Sequence, residues 1–155
     1  MRVTTSATID KMKHDLGFVY VSNPKLQPVP ISNKAPQQGD RVEFLAKGGP
    51  TSTTRHFYGT YTAMELDDGR AGKLVEISGM HVVSGDSGSG VFNDAGEIIG
   101  INSCGADNRA VDYWGKFPIW PGAGITRHQD IVSFLDRITT SKDLPRVGQQ
   151  VDWFT

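Results

Sequence analysis

The nine residues Ser84-Gly85-Asp86-Ser87-Gly88-Ser89-Gly90-Val91-Phe92 constrain this chain more than any other stretch. An acid stands directly before a serine, glycines bracket the pair, and two apolar residues follow. A turn, Asn93-Asp94-Ala95-Gly96, then leads into the β-rich run Glu97-Ile98-Ile99-Gly100-Ile101-Asn102-Ser103. Glycine lets a backbone bend tightly and frees its N–H groups from secondary structure. Two such groups converging beside a serine oxygen stabilise an oxyanion, and a serine nucleophile needs that geometry together with a base to take its proton. Taken alone, a Gly- and Ser-rich stretch is more often a plain loop or turn.

The longer pattern resembles the trypsin/chymotrypsin-like serine peptidase family, with Gly85-Asp86-Ser87-Gly88-Ser89 matching its nucleophile motif. The resemblance implies that Ser87 is the nucleophile and that the Gly85 and Ser87 N–H groups form the oxyanion hole. It also implies that Asp86 anchors the loop through a buried ion pair or hydrogen bonds. Gly100-Ile101-Asn102-Ser103-Cys104-Gly105 looks like the strand beside the specificity pocket, which places Asn102, Ser103 and Gly105 at that pocket. Pro121-Gly122-Ala123-Gly124-Ile125-Thr126-Arg127 looks like the far wall, with Gly122 in it, and Ile131 to Ile138 like the C-terminal helix. Lys13-His14-Asp15-Leu16-Gly17-Phe18-Val19-Tyr20-Val21 reads as an apolar strand opening with an acid, and Asp15 matches the position of the triad aspartate. Its plainer reading is an acid capping a strand end. An α/β-type serine esterase fits poorly, because its nucleophile elbow needs a helix after the serine and here a strand follows.

The family's base is a histidine set between acid and serine, carried well upstream of the aspartate. Only 14 residues precede Asp15, and His14 is the histidine among them. Adjacent side chains on a strand point to opposite faces, so His14 bridges Asp15 and Ser87 only if the chain bulges locally. His81, six residues before Ser87, falls at the base of the resembled pocket. There it reads an acidic or polar substrate side chain, or simply packs. An acid is lacking at that position, which disfavours cleavage after Lys or Arg. His56, on a strand, and His128, opening the helix, read as surface or packing residues.

Length and pattern agree with an incomplete molecule of this type. The 155 residues suit one domain with a real core. From Arg41 onward there is material for nearly a whole barrel. Arg41 to Ala46, Thr53 to Met64 with Gly59 as a candidate bulge, and Gly72 to Ser78 read as strands; Asp67-Asp68-Gly69 reads as a hairpin turn. Met80 to Val83 leads into the nucleophile loop. Ala106 to Trp120 reads as a long loop whose Tyr113, Trp114, Phe117 and Trp120 either mark a recognition surface or pack beneath it. Ile131, Phe134, Leu135 and Ile138 give one apolar helical face. Before Pro24 there is material for only one or two strands, and Pro24 to Gln38, with four prolines, reads as an extended connection.

The expected architecture is mostly β: an antiparallel Greek-key β-barrel of the trypsin-like type with a C-terminal α-helix and an incomplete first barrel. Residues 1–38 hold the remnant of that first barrel and the connection, 39–140 the second barrel with its helix, and 141–155 a tail whose Val151, Trp153 and Phe154 dock on something. The single cysteine, Cys104, excludes an internal disulfide and reads as a packed or pocket-side thiol. A net charge of −1 gives no case for nucleic acid or membrane partners. No apolar run is long enough to cross a bilayer and residues 1–10 lack a signal-peptide core, so a soluble chain is expected. The resemblance calls for no cofactor and no metal.

Two functions remain open. One is serine endopeptidase chemistry on a peptide or protein substrate, with the missing histidine supplied by a complementary chain or precursor segment. The other is a catalytically inactive structural or binding subunit of a larger assembly built on the same scaffold.

Overall fold

The structure, a computed structural model, describes residues 5–10, 15–21, 25–47, 54–68, 72–105, 111–112, 118–140 and 150–151. The expected turn at 22–24, Gly48 to Pro50, His14, the aromatics Tyr113, Trp114 and Phe117, and the tail residues Trp153 and Phe154 lie outside these.

Six antiparallel strands close into a barrel: β3 (Arg41–Ala46), β4 (Arg55–Asp68), β5 (Gly72–Val83), β6 (Gly90–Phe92), β7 (Ile98–Gly105) and β9 (Pro118–Thr126). They run in the order β5-β4-β3-β6-β7-β9, and β9 pairs back onto β5. The two-residue strand β8 (Val111–Asp112) hangs on β9. Alternation along β3 drives the closure. Val42, Phe44 and Ala46 are buried while Arg41 and Leu45 face out, as a strand with one apolar face requires. These residues meet Val75, Ile77, Val82, Val91, Ile99, Ala123 and Ile125 in the barrel core.

A smaller sheet lies beside the barrel. Its strands are β1 (Thr5–Asp10) and β2 (Leu16–Val21), antiparallel, with β10 (Gln150–Val151) parallel to β1. Gln150 and Val151 thus extend the edge of β1.

The helix α1 (His128–Thr140) joins the two sheets. Its Ile131, Phe134 and Ile138 pack with Leu16 of β2, and Ile101 of β7 and Ile31 join the cluster. Arg127 clamps Asp130 in the first turn through Nε–Oδ2 at 2.6 Å and Nη2–Oδ1 at 3.0 Å, and a carboxylate there suits the helix dipole. Burial of Leu16 against α1 holds the start of β2 beside β7. That contact decides where Asp15 sits.

Five expectations need correction or extension. Gly59 is not a bulge: it pairs in register with Val42. The irregularity lies between Tyr61 and Glu65, where Ala63 takes a φ of 61°. There the Thr62 hydroxyl donates to the Glu76 carbonyl at 3.0 Å and accepts from the Met64 N–H at 3.1 Å, replacing ladder bonds that the bulge interrupts. β4 runs on to Asp68. β5 continues through Val83, with a register shift against β9 between Ser78 and Val82. Pro118 to Trp120, read as loop, is strand, because β5 and β8 offer it edges on either side. Lastly, Asp15 is not on a strand: it precedes β2 with a φ of 53°, a left-handed conformation that aspartate tolerates better than most residues. Strand alternation therefore does not fix which way the chain turns at Asp15, and the argument it supplied against His14 lapses.

Among the described residues no helix is long and apolar enough to cross a membrane. Among them, too, no cluster of His, Cys, Asp or Glu could hold a metal ion.

Candidate active site

The loop that carries Ser87 joins β5 to β6, and its conformation is set by Asp86. That side chain is fully buried. Its Oδ1 pairs with Arg55 Nη2 and its Oδ2 accepts the Val83 N–H at 2.9 Å. Arg55, at the start of β4, is itself largely buried and lies over the Phe57 ring, 5.2 Å from the centroid. A buried carboxylate is tolerated only with such partners. The ion pair foreseen for Asp86 is thus present, while its cation was not foreseen: nothing in the sequence around Arg55 marks it.

With Asp86 drawn inward, the residues on either side are turned outward. Gly85 and Gly88 take φ values of 95° and 86°, which disfavour any side chain. Backbone bonds then pin the rest of the loop. Asp86 N donates to Val83 O at 3.2 Å, Ser89 N to Asp86 O at 3.1 Å, and Gly88 N to Asn102 O at 2.8 Å. Asn102 N returns a bond to Ser89 O at 2.9 Å, stitching the loop to β7. Among the described residues the Gly85 and Ser87 N–H groups carry no hydrogen bond. Ser87 is exposed.

Ser87 and Asp15, 72 positions apart by their numbers, are linked through one residue. The Ser87 hydroxyl donates to the Ser103 carbonyl at 3.0 Å. The Ser103 hydroxyl donates to Asp15 Oδ2 at 2.5 Å. Ser103, expected at the pocket, turns its side chain to Asp15 at the start of β2 and holds the aspartate. Among the described residues the other Asp15 oxygen has no bonded partner.

The segments expected to wall a pocket also converge. β9 pairs with β7 through Asn102–Ile125, Cys104–Gly124 and Gly105–Ala123. It pairs with β5 through Ser78–Gly122 and Val82–Trp120. Gly122 is buried. Trp120 lies directly against Gly105, where an added Cβ would come within 2.3 Å of the indole, so this member of the aromatic loop packs. His81 is exposed near the end of β5, beside the Val82–Trp120 pair. The half-buried Cys104 packs its sulfur against Gly124 and lies between Ser103 and Gly105.

No described histidine bonds Ser87. His56 lies 3.5 Å from Glu43 and tilts against Tyr58 on the outer face of the barrel. His128 is buried, with Nε2 2.7 Å from the Ser32 carbonyl. Both hold the packing and surface roles expected of them. A separate cavity of about 740 Å³ lies between residues 32–42 and the β6–β7 turn. Its lining carries charges of both signs, with Arg41 and Asp94 paired at 3.3 Å, and none of the candidate catalytic or pocket residues.

The profile of the trypsin-like peptidase domain matches residues 2–101, well over half of the chain. A search of curated proteins by sequence finds no match. Among solved structures, the fold matches Rv3671c from M. tuberculosis H37Rv, a serine-to-alanine mutant in an inactive form. The TM-score is 0.65 and the identity 13%, over 90% of this chain and 67% of that one. Kallikrein-related peptidase 10 matches with a TM-score of 0.62 and 15% identity, over 88% of this chain and 71% of that one. A mutant of human heparin binding protein matches with a TM-score of 0.63 and 15% identity, over 94% and 69%. Identities this low establish the fold alone. The chain spans about two thirds of the length of these three chains.

Proposed function

Because this chain belongs to the trypsin-like peptidase family, we propose that it supplies the nucleophile half of a serine endopeptidase site whose histidine comes from outside the chain. Ser87 attacks the scissile carbonyl. The Gly85 and Ser87 N–H groups hold the oxyanion. Asp15 orients the incoming imidazole through the oxygen that Ser103 leaves unbonded. The substrate is a peptide or protein, with its side chain read between His81, Asn102, Ser103, Gly105 and Gly122. Residues 1–38, 39–140 and 141–155 act as first-barrel remnant, working barrel and tail.

One observation carries this reading: Ser87 and Asp15 meet through Ser103 beside two amides that have no hydrogen bond among the described residues. Against activity in the isolated chain stands the placement of His56 and His128, each engaged elsewhere. The triad acts as a unit, so losing its base leaves only a residual acceleration of about 10³–10⁴-fold over water.

The 155-residue chain alone is therefore expected to show no detectable Ser87 labelling by a fluorophosphonate probe over an hour, read by mass spectrometry. Rapid labelling that disappears in His14→Ala would put the base inside this chain and overturn the complementation. If the complex purified with its natural partner also fails to label, the inactive-subunit reading holds instead.

A further inference from the structure

Two buried side-chain polar atoms lack a hydrogen-bond partner among the described residues: Arg55 Nε and the amide oxygen of Asn102. Arg55 satisfies its charge through its pair with Asp86. Asn102 has no such compensation. It is 2% exposed and sits opposite Ile125, a fully buried residue of the barrel core. Directly opposed residues share a face of a sheet, so the Asn102 side chain lies on the barrel's apolar inner face while Ser103 faces outward to Asp15. An unpaired amide there is costly, and native interiors rarely keep one without a use.

Its position suggests the use. The Asn102 backbone accepts from Gly88 and donates to Ser89, so the side chain sits directly behind the Ser87 loop. The β7–β9 pairing shifts register between Asn102 and Cys104, and bulges of this kind re-aim side chains beside active sites. Of the nearby acids, Asp86 is paired with Arg55, and Asp15 is held by the outward-facing Ser103, on the side of the sheet away from Asn102. A cationic substrate side chain at Asn102 would therefore meet no unpaired carboxylate. An apolar one would leave the amide unsatisfied.

We infer that Asn102 determines specificity, by hydrogen-bonding a carboxamide on the substrate residue that donates the scissile carbonyl, and that this residue is glutamine. A carboxamide offers both a donor and an acceptor, so it pairs with Asn102 whichever way the amide is turned. Glutamine rather than asparagine has the reach for a group buried behind the loop. This rests on the reading of Ser87 as the centre of a peptide site.

The test needs no hydrolysis. Product-like tetrapeptides, identical except for a C-terminal Gln, Leu, Glu or Arg, are titrated into the full chain by calorimetry and NMR. The Gln peptide is expected to bind about tenfold tighter than the Leu peptide, as a hydrogen bond to an otherwise unpaired buried group requires. In Asn102→Leu the preference falls to within about twofold, with Leu-peptide affinity and thermal stability maintained or raised. Asn102→Ser serves the same purpose should the leucine variant fail to fold. Binding of all four peptides with equal affinity, or a Gln preference that survives both variants, overturns the inference and leaves the peptide site standing. Absence of binding by every peptide overturns both.

Discussion

Replacing Arg55 with alanine is expected to cost about 3–5 kcal/mol, because it strands a fully buried carboxylate. Set against a typical domain stability of about 5–15 kcal/mol, this is a large fraction of what holds the fold. The loss has a specific shape. Asp86 faces inward, where Arg55 and the Val83 N–H receive it. Without the guanidinium the carboxylate must protonate or swing to water, and Gly85 and Ser87 then lose the orientation that presents their amides. Urea denaturation measures the stability term. The site term is measured by NMR of the Gly85 and Gly88 amides, which should shift or broaden in Arg55→Ala while core signals such as Val91 persist in the folded fraction. Arg55→Lys keeps the charge but not the planar fork, and is expected to fall between the two. If Arg55→Ala folds with unchanged stability, the ion pair does not set the loop.

The second large effect concerns Asp15. In the complex that restores a histidine, Asp15→Asn is expected to lower kcat by about 10⁴-fold, the scale seen when the orienting carboxylate of such a triad becomes an amide. An asparagine keeps the size and can still accept from Ser103, so the fold is retained; what changes is the tautomer and charge offered to the imidazole. Ser103→Ala provides the intermediate case, since it frees Asp15 Oδ2 without removing the charge. Steady-state kinetics of the complex separates these outcomes. A loss of less than tenfold in Asp15→Asn would return Asp15 to its plainer role as an acid before a strand.

The barrel was legible because its residues repeat a simple rule. Arg41 to Ala46 alternates, and the structure buries every second residue. Ile131, Phe134 and Ile138 recur at helical spacing, and they are the buried face of α1. The bend around Ser87 was legible because glycines at left-handed positions leave a mark that side chains cannot imitate. What stayed hidden depends on contacts between distant parts of the chain. Arg55 looks like any other charged residue entering a strand, and only the closed barrel brings it under Asp86. The Ser103–Asp15 bond joins residues 88 positions apart, held by the packing of Leu16 on α1. Gly59 drew attention as a bulge because it is glycine, whereas the real irregularity is sustained by a threonine hydroxyl. The left-handed turn at Asp15 had no signal at all, and it removes a premise that the sequence alone had made reasonable.

Chemical rescue addresses the central claim most directly. If the site lacks only a base, soluble imidazole should act in its place. Labelling of Ser87 by the fluorophosphonate probe should then rise steadily with imidazole concentration, follow the neutral form of the base as pH is varied through about 7, and vanish in Ser87→Ala. A chain that labels equally fast with and without imidazole already contains its base; one that never labels at Ser87, at any imidazole concentration, holds no poised nucleophile. Either result would contradict the account.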